Sequence, residues 1–353
     1  MVTRQDNKVE VRRQHLKTMT SSRGELAPAV AKAREIWSRG RKPQSVRVRR
    51  SFVVRDSPAG AVVDERKPLP REERPLSAQM ITPKGLTLKL ELLLLFAAQC
   101  AVAPGSRWPA PYPIEPTPDN PDSWMGLVAT IAKHTPPTNY AADASTNKAR
   151  QIAQALKALE KMNLVHSATG VPGQVRRGIK LRCENGKSTF AAPVIYRVPT
   201  DDEQFFDIPV EFFTQGWVHV LTTSEIAALL MWLDITKAVG RQVKLRGEEE
   251  PPSIIGFVNS ETRHSYYGLG RETYETHKQL SAFGLMDVHR HDKRYMDGKW
   301  EGFATQNEDM VCHRIELLTA GLGREPAPIL SKVLEQRQLT GSWYRPVGWQ
   351  RPA

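Results

Sequence analysis

The sequence places polar and cationic side chains at helical spacing between positions 147 and 157. They are Asn147, Arg150, Gln151, Gln154 and Lys157. Residues three and four apart share one face of a helix, so these side chains form one stripe, and the stripe contains no acid. An arginine on such a face can donate paired hydrogen bonds to a guanine edge, and a lysine further along suits a phosphate. The stripe predicts a helix that contacts DNA, and an ordinary polar helix surface is the alternative.

A second stripe of the same kind follows later in the chain. Its members are Arg271, Tyr274, Glu275 and Lys278, and Thr273, Leu280 and Phe283 lie on the opposite, inward face. Arg271, near the start of the helix, is the candidate for guanine, and Lys278 is the candidate for a phosphate. Because Glu272 and Glu275 are also present, an ordinary solvated face is the alternative here as well.

A basic stretch follows each of these helices. The first contains Arg176, Arg177, Lys180, Arg182 and Lys187, opposed only by Glu184, and the second contains Arg290, Lys293 and Arg294 with acids interspersed. A local concentration of cations is what contact with a phosphate backbone requires. Both stretches are predicted hairpins that contact DNA, although a solvated hairpin would have a similar composition.

The charge balance favours a polyanionic partner. The chain has 353 residues, and 50 Lys and Arg against 38 Asp and Glu give a net charge of +12. Residues 1–80 contain 19 Lys or Arg and 9 Asp or Glu, so this leader holds +10 of that charge. Its proline-rich, charged composition predicts a largely disordered arm that binds phosphates non-specifically, with one helix at 27–39 and a strand-like run at 46–54. A solubilising tail is the alternative.

The sequence gives no indication of enzymatic chemistry. It contains no G-x-x-x-x-G-K-[ST] phosphate loop, no G-x-S-x-G nucleophile turn and no H-E-x-x-H metal pair. Cys100, Cys183 and Cys312 are too few and too far apart for a disulfide framework or a zinc site. The most apolar stretch, 86–102, is interrupted by charged and amide residues and predicts a core helix. We expect no catalysis, cofactor or metal, no membrane association, and a cytoplasmic, nucleoid-associated location.

Helices are predicted to hold both stripes in place. Apolar periodicity and capping signals indicate helices at 86–102, 124–133, 146–162, 222–233, 260–267 and 270–283. Thr222 or Thr223 is the expected N-cap, with Glu225 as the acid of a capping box. Asn163 and Gly284 end their helices where the backbone must often enter the left-handed region. Asn185-Gly186 is typical of a two-residue hairpin turn.

The same order of elements occurs twice, and it resembles the winged helix-turn-helix family. The likeness is carried by residues 267–274 (Tyr-Gly-Leu-Gly-Arg-Glu-Thr-Tyr) and 280–288 (Leu-Ser-Ala-Phe-Gly-Leu-Met-Asp-Val), and the two copies together cover about 82–318. The resemblance implies a recognition helix in the DNA major groove and a hairpin wing on the backbone or minor groove.

The interpretation of the whole chain is an α+β, mainly α protein with two tandem winged-helix domains. We expect a disordered basic arm at 1–80, a first domain at 82–199 with a proline-rich insertion at 104–121, a second domain at 205–320 and a tail at 321–353. This arrangement resembles double winged-helix plasmid replication initiators. That resemblance implies binding to repeated origin DNA, contact with host replication proteins, and a homodimer through the first domain, for which the apolar run 92–96 is a candidate. A transcriptional repressor, and a non-enzymatic adaptor or RNA-binding protein, are the alternatives.

Overall fold

The computed structural model describes residues 4–59, 69–82, 85–109, 112–118, 120–130, 144–167, 179–247, 249, 251, 253–289 and 312–345. These residues form an α+β structure that is mainly helical, with small antiparallel sheets. The helices are α1 (Arg4–Thr20), α2 (Leu26–Arg39), α3 (Leu76–Gln79), α4 (Thr87–Ala101), α5 (Trp124–Leu127), α6 (Ala144–Lys161), α7 (Glu211–Thr214), α8 (Trp217–Val220), α9 (Thr223–Leu245), α10 (Ser260–Ser265), α11 (Arg271–Tyr274), α12 (His277–Ala282) and α13 (Pro326–Thr340). The strands are β1 (Ser45–Arg49), β2 (Val165–Ser167), β3 (Ile179–Leu181), β4 (Phe205–Pro209), β5 (Ile255–Gly256), β6 (Met286–His289) and β7 (Arg314–Leu317). Among these helices, none combines the length and apolar composition needed to cross a lipid bilayer.

The N-terminal leader is part of the folded core. Helix α2 buries Leu26, Ala29, Ala33 and Ile36 along one side, and β1 pairs antiparallel with β4. The predicted helix and strand are therefore present, but the prediction of a largely disordered arm is wrong for residues 4–59. The physical reason is that small apolar residues recur at helical spacing on α2, so one face packs although the overall composition is polar and charged.

Helix α4 runs through the centre of the molecule. Every residue at 92–96 is fully buried, and Phe96 stacks on Phe213 with ring centroids 4.8 Å apart. The prediction of a core helix at 86–102 is confirmed. The run 92–96 cannot serve as a dimer surface, because its side chains already fill the interior.

The first half of the fold contains α4, α5 and α6 followed by a small sheet. Helix α6 buries Ile152, Leu156 and Leu159 on one side, and Asn163 just past its end has a φ of 55°, as predicted. Strands β2 and β3 pair antiparallel, with residues 168–178 between them outside the described residues. A third segment pairs with β3 through an isolated bridge between Arg182 and Ile195.

A turn at Asn185-Gly186 joins β3 to that third segment. Within the turn Gly186 has a φ of 74°, whereas Asn185 has no positive φ. The turn is therefore present as predicted, but it is not the type with two left-handed residues that the dipeptide favours.

The second half begins with the long helix α9. The Thr222 hydroxyl accepts a hydrogen bond from the Glu225 backbone N–H, and the Glu225 carboxylate accepts one from the Thr222 N–H, which confirms the predicted capping box. The helix continues to Leu245, beyond the predicted end at 233, and Gly240 within it is buried. Helices α10, α11 and α12 follow, and the sheet has the order β5-β7-β6. Gly284, past α12, has a φ of 76°, as predicted.

The C-terminal segment forms helix α13, which packs against α1. Leu330, Val333 and Leu334 are buried on one face of it. Both halves of the chain, α1, α2 and α13 contribute to one contiguous cluster of buried apolar residues.

Consecutive arginines connect the two halves through one buried and one half-buried ion pair. Arg49 Nη1 lies 3.0 Å from Glu184 Oε2, after β3, and Arg50 Nε lies 3.0 Å from Asp234 Oδ1, on α9. Tyr267 Oη also donates to Asp234 Oδ2 at 2.7 Å. The end of β1 therefore contacts one acid from each half of the fold.

Candidate nucleic-acid interface

The solvent face of α6 carries a row of uncompensated cations. Arg150, Gln154 and Lys157 are exposed, and Asn147 and Gln151 are half-buried at the margins of the row. Within the described residues, the side chains of Arg150, Gln154 and Lys157 have no hydrogen bond or ion pair with another residue. The buried apolar side of α6 fixes the helix so that these residues point outward.

Lys161 extends this row by one further turn. It is exposed and lies four residues after Lys157, so it shares the same face. From Arg150 to Lys161 the row spans about 16 Å of helix axis at 1.5 Å per residue. Lys161 was not among the predicted contacts, although its spacing of four residues from Lys157 was the signal that could have found it. We define the α6 row as Arg150, Gln154, Lys157 and Lys161.

Another α6 cation has a structural role. The Lys148 ammonium lies 2.9 Å from Glu25 Oε2, and Lys148 is only 8% exposed. The other hydrogen bond to this Glu25 oxygen comes from the Thr130 backbone N–H at 3.0 Å. Glu25 precedes α2, so this contact attaches the beginning of α6 to the N-terminal helices. The charge of Lys148 is neutralised there, which leaves the α6 row as the cationic surface of the helix.

Two of the three described cations in the basic stretch after α6, Lys180 and Lys187, are exposed. Lys180 is exposed on β3. Arg182 is only 8% exposed, and its Nη1 donates to Asn163 Oδ1 at 3.1 Å, so it supports the end of α6 and the prediction that it contacts DNA is wrong. Arg176 and Arg177 lie outside the described residues.

Glu184, expected to oppose these cations at the surface, is fully buried against Arg49. Burial raises the pKa of Glu184 more than the adjacent Arg49 guanidinium lowers it. The exposed charge of β3 and the turn that follows it is therefore more positive than the sequence alone indicates, because Glu184 does not reach the surface.

The second predicted stripe is charge-balanced. Arg271 Nε lies 2.8 Å from Glu275 Oε1, and Lys278 Nζ lies 3.9 Å from Glu275 Oε2. Partial burial would raise the pKa of Glu275, but the hydrogen bond from Arg271 and the charge of Lys278 bring it below its ordinary value. Arg271 and Lys278 are exposed as predicted, yet both converge on one carboxylate, and Glu272 adds a second exposed acid.

Tyr274 belongs to the packing of the second half. It is half-buried, its ring lies 6.3 Å from that of Trp232, and the Arg263 guanidinium lies 5.6 Å from its centroid. These contacts use part of the Tyr274 ring for packing, and a DNA contact by its exposed part stays a prediction.

The helix that carries the second stripe is divided into α11 and α12. Thr276 Oγ1 donates to the Thr273 carbonyl at 2.6 Å, a side-chain bond that competes with regular helical bonding. The single helix predicted at 270–283 is therefore broken near its middle. Arg290, Lys293 and Arg294 lie outside the described residues.

Among the described residues, no group of three or more His, Cys, Asp or Glu side chains is placed to hold a metal ion. No protein-family model, curated protein or solved structure matches the chain.

Proposed function

We propose that this protein binds double-stranded DNA sequence-specifically and that the α6 row is its principal contact. The observation that carries the proposal is the row itself, which is exposed, cationic and without internal partners among the described residues. Arg150 is suited to a guanine edge in the major groove, and Lys157 and Lys161 are suited to the adjacent phosphates. Asn147 and Gln151, at the margins, can add hydrogen bonds to the same groove.

The order of elements supports two tandem winged-helix units. In the second half, α9, β5, α10 and the α11–α12 pair are followed by β6 and β7, with β7 between β5 and β6. In the first half, α4, α5 and α6 are followed by the β2–β3 pair. A winged helix-turn-helix has helices in this order followed by an antiparallel hairpin, with the third helix placed for the groove.

Replication initiation is the specific role we propose, on the resemblance to double winged-helix plasmid initiators. Two DNA-contacting units in one chain suit repeated origin DNA, whereas a repressor with the same α6 row would select a single palindrome. In this role host replication proteins are the expected protein partners. A homodimer would need a surface other than 92–96.

Selection of duplexes from a random-sequence library by the full chain tests both levels of the proposal. Enrichment of a defined motif supports sequence-specific binding, and direct repeats within the selected DNA support an initiator. Failure to enrich any duplex motif would refute sequence-specific DNA binding.

Substitution of the α6 row tests which surface makes the contact. Arg150→Ala with Lys157→Ala should weaken binding to the selected motif and flatten its salt dependence, since log affinity falls by about 0.9 per log unit of salt for each phosphate neutralised. The matched control, Lys17→Ala with Lys332→Ala, removes the same charge from exposed positions on α1 and α13. Equal losses in the two double variants would show that net charge, and not the α6 row, drives binding.

A further inference from the structure

The segment that follows the turn after β3 exposes an apolar surface. Every residue at 189–195 is exposed, and Phe190 is 87%, Ile195 46% and Val194 39% exposed. Isolated exposed apolar residues are common on proteins, but large ones clustered in a short segment indicate an interaction site. We define the apolar turn as residues 188–195.

Hydrogen bonds hold the apolar turn in one conformation. The Ser188 hydroxyl accepts from the Val194 N–H at 3.2 Å, and the Thr189 hydroxyl accepts from the Ala192 N–H at 3.0 Å. The Thr189 N–H also donates to the Ala192 carbonyl at 3.2 Å. The exposed side chains are therefore presented by an ordered turn, which lowers the entropic cost of binding a partner.

The apolar turn leads into an open strand edge. The Cys183 N–H donates to the Val194 carbonyl at 2.8 Å, and the Tyr196 N–H donates to the Leu181 carbonyl at 3.0 Å. Ile195, between these bonds, directs its N–H and C=O away from β3, and neither group bonds to another described residue. The free edge is limited to Ile195, because Pro193 has no N–H and the Arg197 carbonyl accepts from Arg49 Nη2 at 3.0 Å. Ile195 can therefore supply one pair of hydrogen bonds to an added strand.

The charges around this edge select the occupant. Of the charged residues at 179–198, Lys180, Lys187 and Arg197 are exposed, whereas Arg182 and Glu184 are buried. All the exposed charges of this segment are therefore cationic. A second copy of the same surface would bring equal charges together, which disfavours symmetric self-association.

Duplex DNA is disfavoured as the occupant by the chemistry of this surface. Phe190, Val194 and Ile195 expose apolar side chains, and the Ile195 backbone is unpaired among the described residues. Such groups suit a peptide better than a phosphate backbone.

We propose that an extended segment of another protein, alternating apolar and acidic residues, adds as a strand to the edge at Ile195 with Phe190 as its apolar anchor. The Ile195 backbone supplies the strand hydrogen bonds. The exposed cations Lys180, Lys187 and Arg197 pair with the acids of the partner. This proposal does not depend on the DNA contact proposed for the α6 row.

Selection of random peptides displayed on phage against the full chain tests the proposal. The enriched peptides should alternate apolar residues with Asp or Glu. A synthetic peptide of the enriched sequence should lose about tenfold or more in affinity for Phe190→Ser, because an apolar anchor of this size is no longer buried. Lys187→Glu should also lower the affinity for this peptide, and the loss should be larger at low salt than at high salt. Hydrogen exchange should show protection of the Ile195 amide when the peptide binds.

Phe257→Ser is the matched control, since Phe257 is 67% exposed in the second half of the fold. It should leave peptide affinity unchanged, and both Phe variants should unfold at the wild-type urea concentration. Peptides without acids, equal affinity for Phe190→Ser and wild type, or no protection at Ile195 would each overturn the proposal. Loss of DNA affinity in Phe190→Ser would assign the turn to nucleic acid, and loss of a dimer by sedimentation would assign it to self-association.

Discussion

Glu91 offers the sharpest test of the energetics of this fold. It lies on the central helix α4, it is fully buried, and neither carboxyl oxygen has a hydrogen-bond partner among the described residues. Burial, reinforced by the nearby charge of Glu184, raises the pKa of Glu91 well above its ordinary value. A buried polar group left without a partner costs about 1–3 kcal/mol. Glu91→Met keeps the chain length and removes the polar atoms, so it should stabilise the fold by about that amount.

The pH dependence of the free energy of unfolding distinguishes the titration of Glu91 from an effect of packing alone. The unfolded chain releases the Glu91 proton near the ordinary value of 4.5, whereas the folded chain keeps it to higher pH. Between pH 4.5 and the folded-state pKa, the folded state binds more protons than the unfolded state. The contribution of Glu91 to the free energy of unfolding is therefore complete below pH 4.5 and is lost as pH rises toward the folded-state pKa. The decline is at most about 1.4 kcal/mol per pH unit and ends at the folded-state pKa. Glu91→Gln retains a polar group but cannot titrate, so it should remove this part of the pH dependence.

Urea unfolding of wild type, Glu91→Met and Glu91→Gln from about pH 5 to pH 8 measures both effects. The difference between wild type and Glu91→Gln isolates Glu91 from the other titrating groups. Glu335→Gln, at an exposed position on α13, makes the same chemical change as a control and should leave the pH dependence unaltered. Parallel pH curves for wild type and Glu91→Gln, or a destabilised Glu91→Met, would show that the carboxyl is ionised or partnered and refute the reasoning.

Other substitutions test the buried Arg49–Glu184 ion pair, the pairing of Glu275 with its two cations, and the end of α12 at Gly284. Arg49→Met should cost about 3–5 kcal/mol in urea unfolding, because it leaves Glu184 buried without its counter-charge; a cost below about 1 kcal/mol would contradict a buried ion pair. Glu275→Gln removes the carboxylate that pairs with Arg271 and Lys278, so it should raise duplex affinity and steepen the salt dependence of that affinity. A filter-binding or anisotropy titration measures both, with Glu335→Gln as the control. Unchanged binding would place this face away from DNA. Gly284→Ala should destabilise the fold by about 1–2 kcal/mol in thermal unfolding, since its φ of 76° disfavours a side chain, and a neutral result would show that the backbone there relaxes.

Local signals predicted the ends of helices well. The capping box at Thr222 and the left-handed residues Asn163 and Gly284 all depend on interactions within a few residues, so the sequence contains what determines them. The same is true of the outward direction of Arg150 and Lys157, which follows from the apolar spacing on α6.

Long-range pairings were not accessible from the same signals. Arg182 was assigned to the surface by its basic neighbours, yet its bond to Asn163 depends on how the sheet packs against the end of α6. Glu184 is buried by Arg49, which is 135 positions earlier in the chain. No local pattern marks such a partner, because the pairing arises only when the end of β1 packs beside the segment that follows β3.

The basic leader shows most clearly why composition was misleading. Five of its arginines bond to later parts of the fold. The contacts are Arg12 with Glu225, Arg47 with Asp201, Arg49 with Glu184, Arg50 with Asp234, and Arg34 with the Thr214 carbonyl. The planar guanidinium, with its several fixed donors, suits such buried or half-buried bridges better than an ammonium group does. These five arginines are therefore matched by acids and carbonyls of the later chain.

This arrangement changes how DNA binding must be tested. Deleting residues 1–80 would remove α1, α2 and β1 from the common core and leave Glu184 and Asp234 without their arginines, so a loss of binding would report unfolding. Point substitutions on exposed cations avoid that ambiguity. If the leader were the DNA-binding arm, Lys17→Ala, at an exposed position of the leader, would weaken binding at least as much as Lys157→Ala. The internal pairing of the leader predicts the opposite order, because its arginines are held by the fold whereas the α6 row is not.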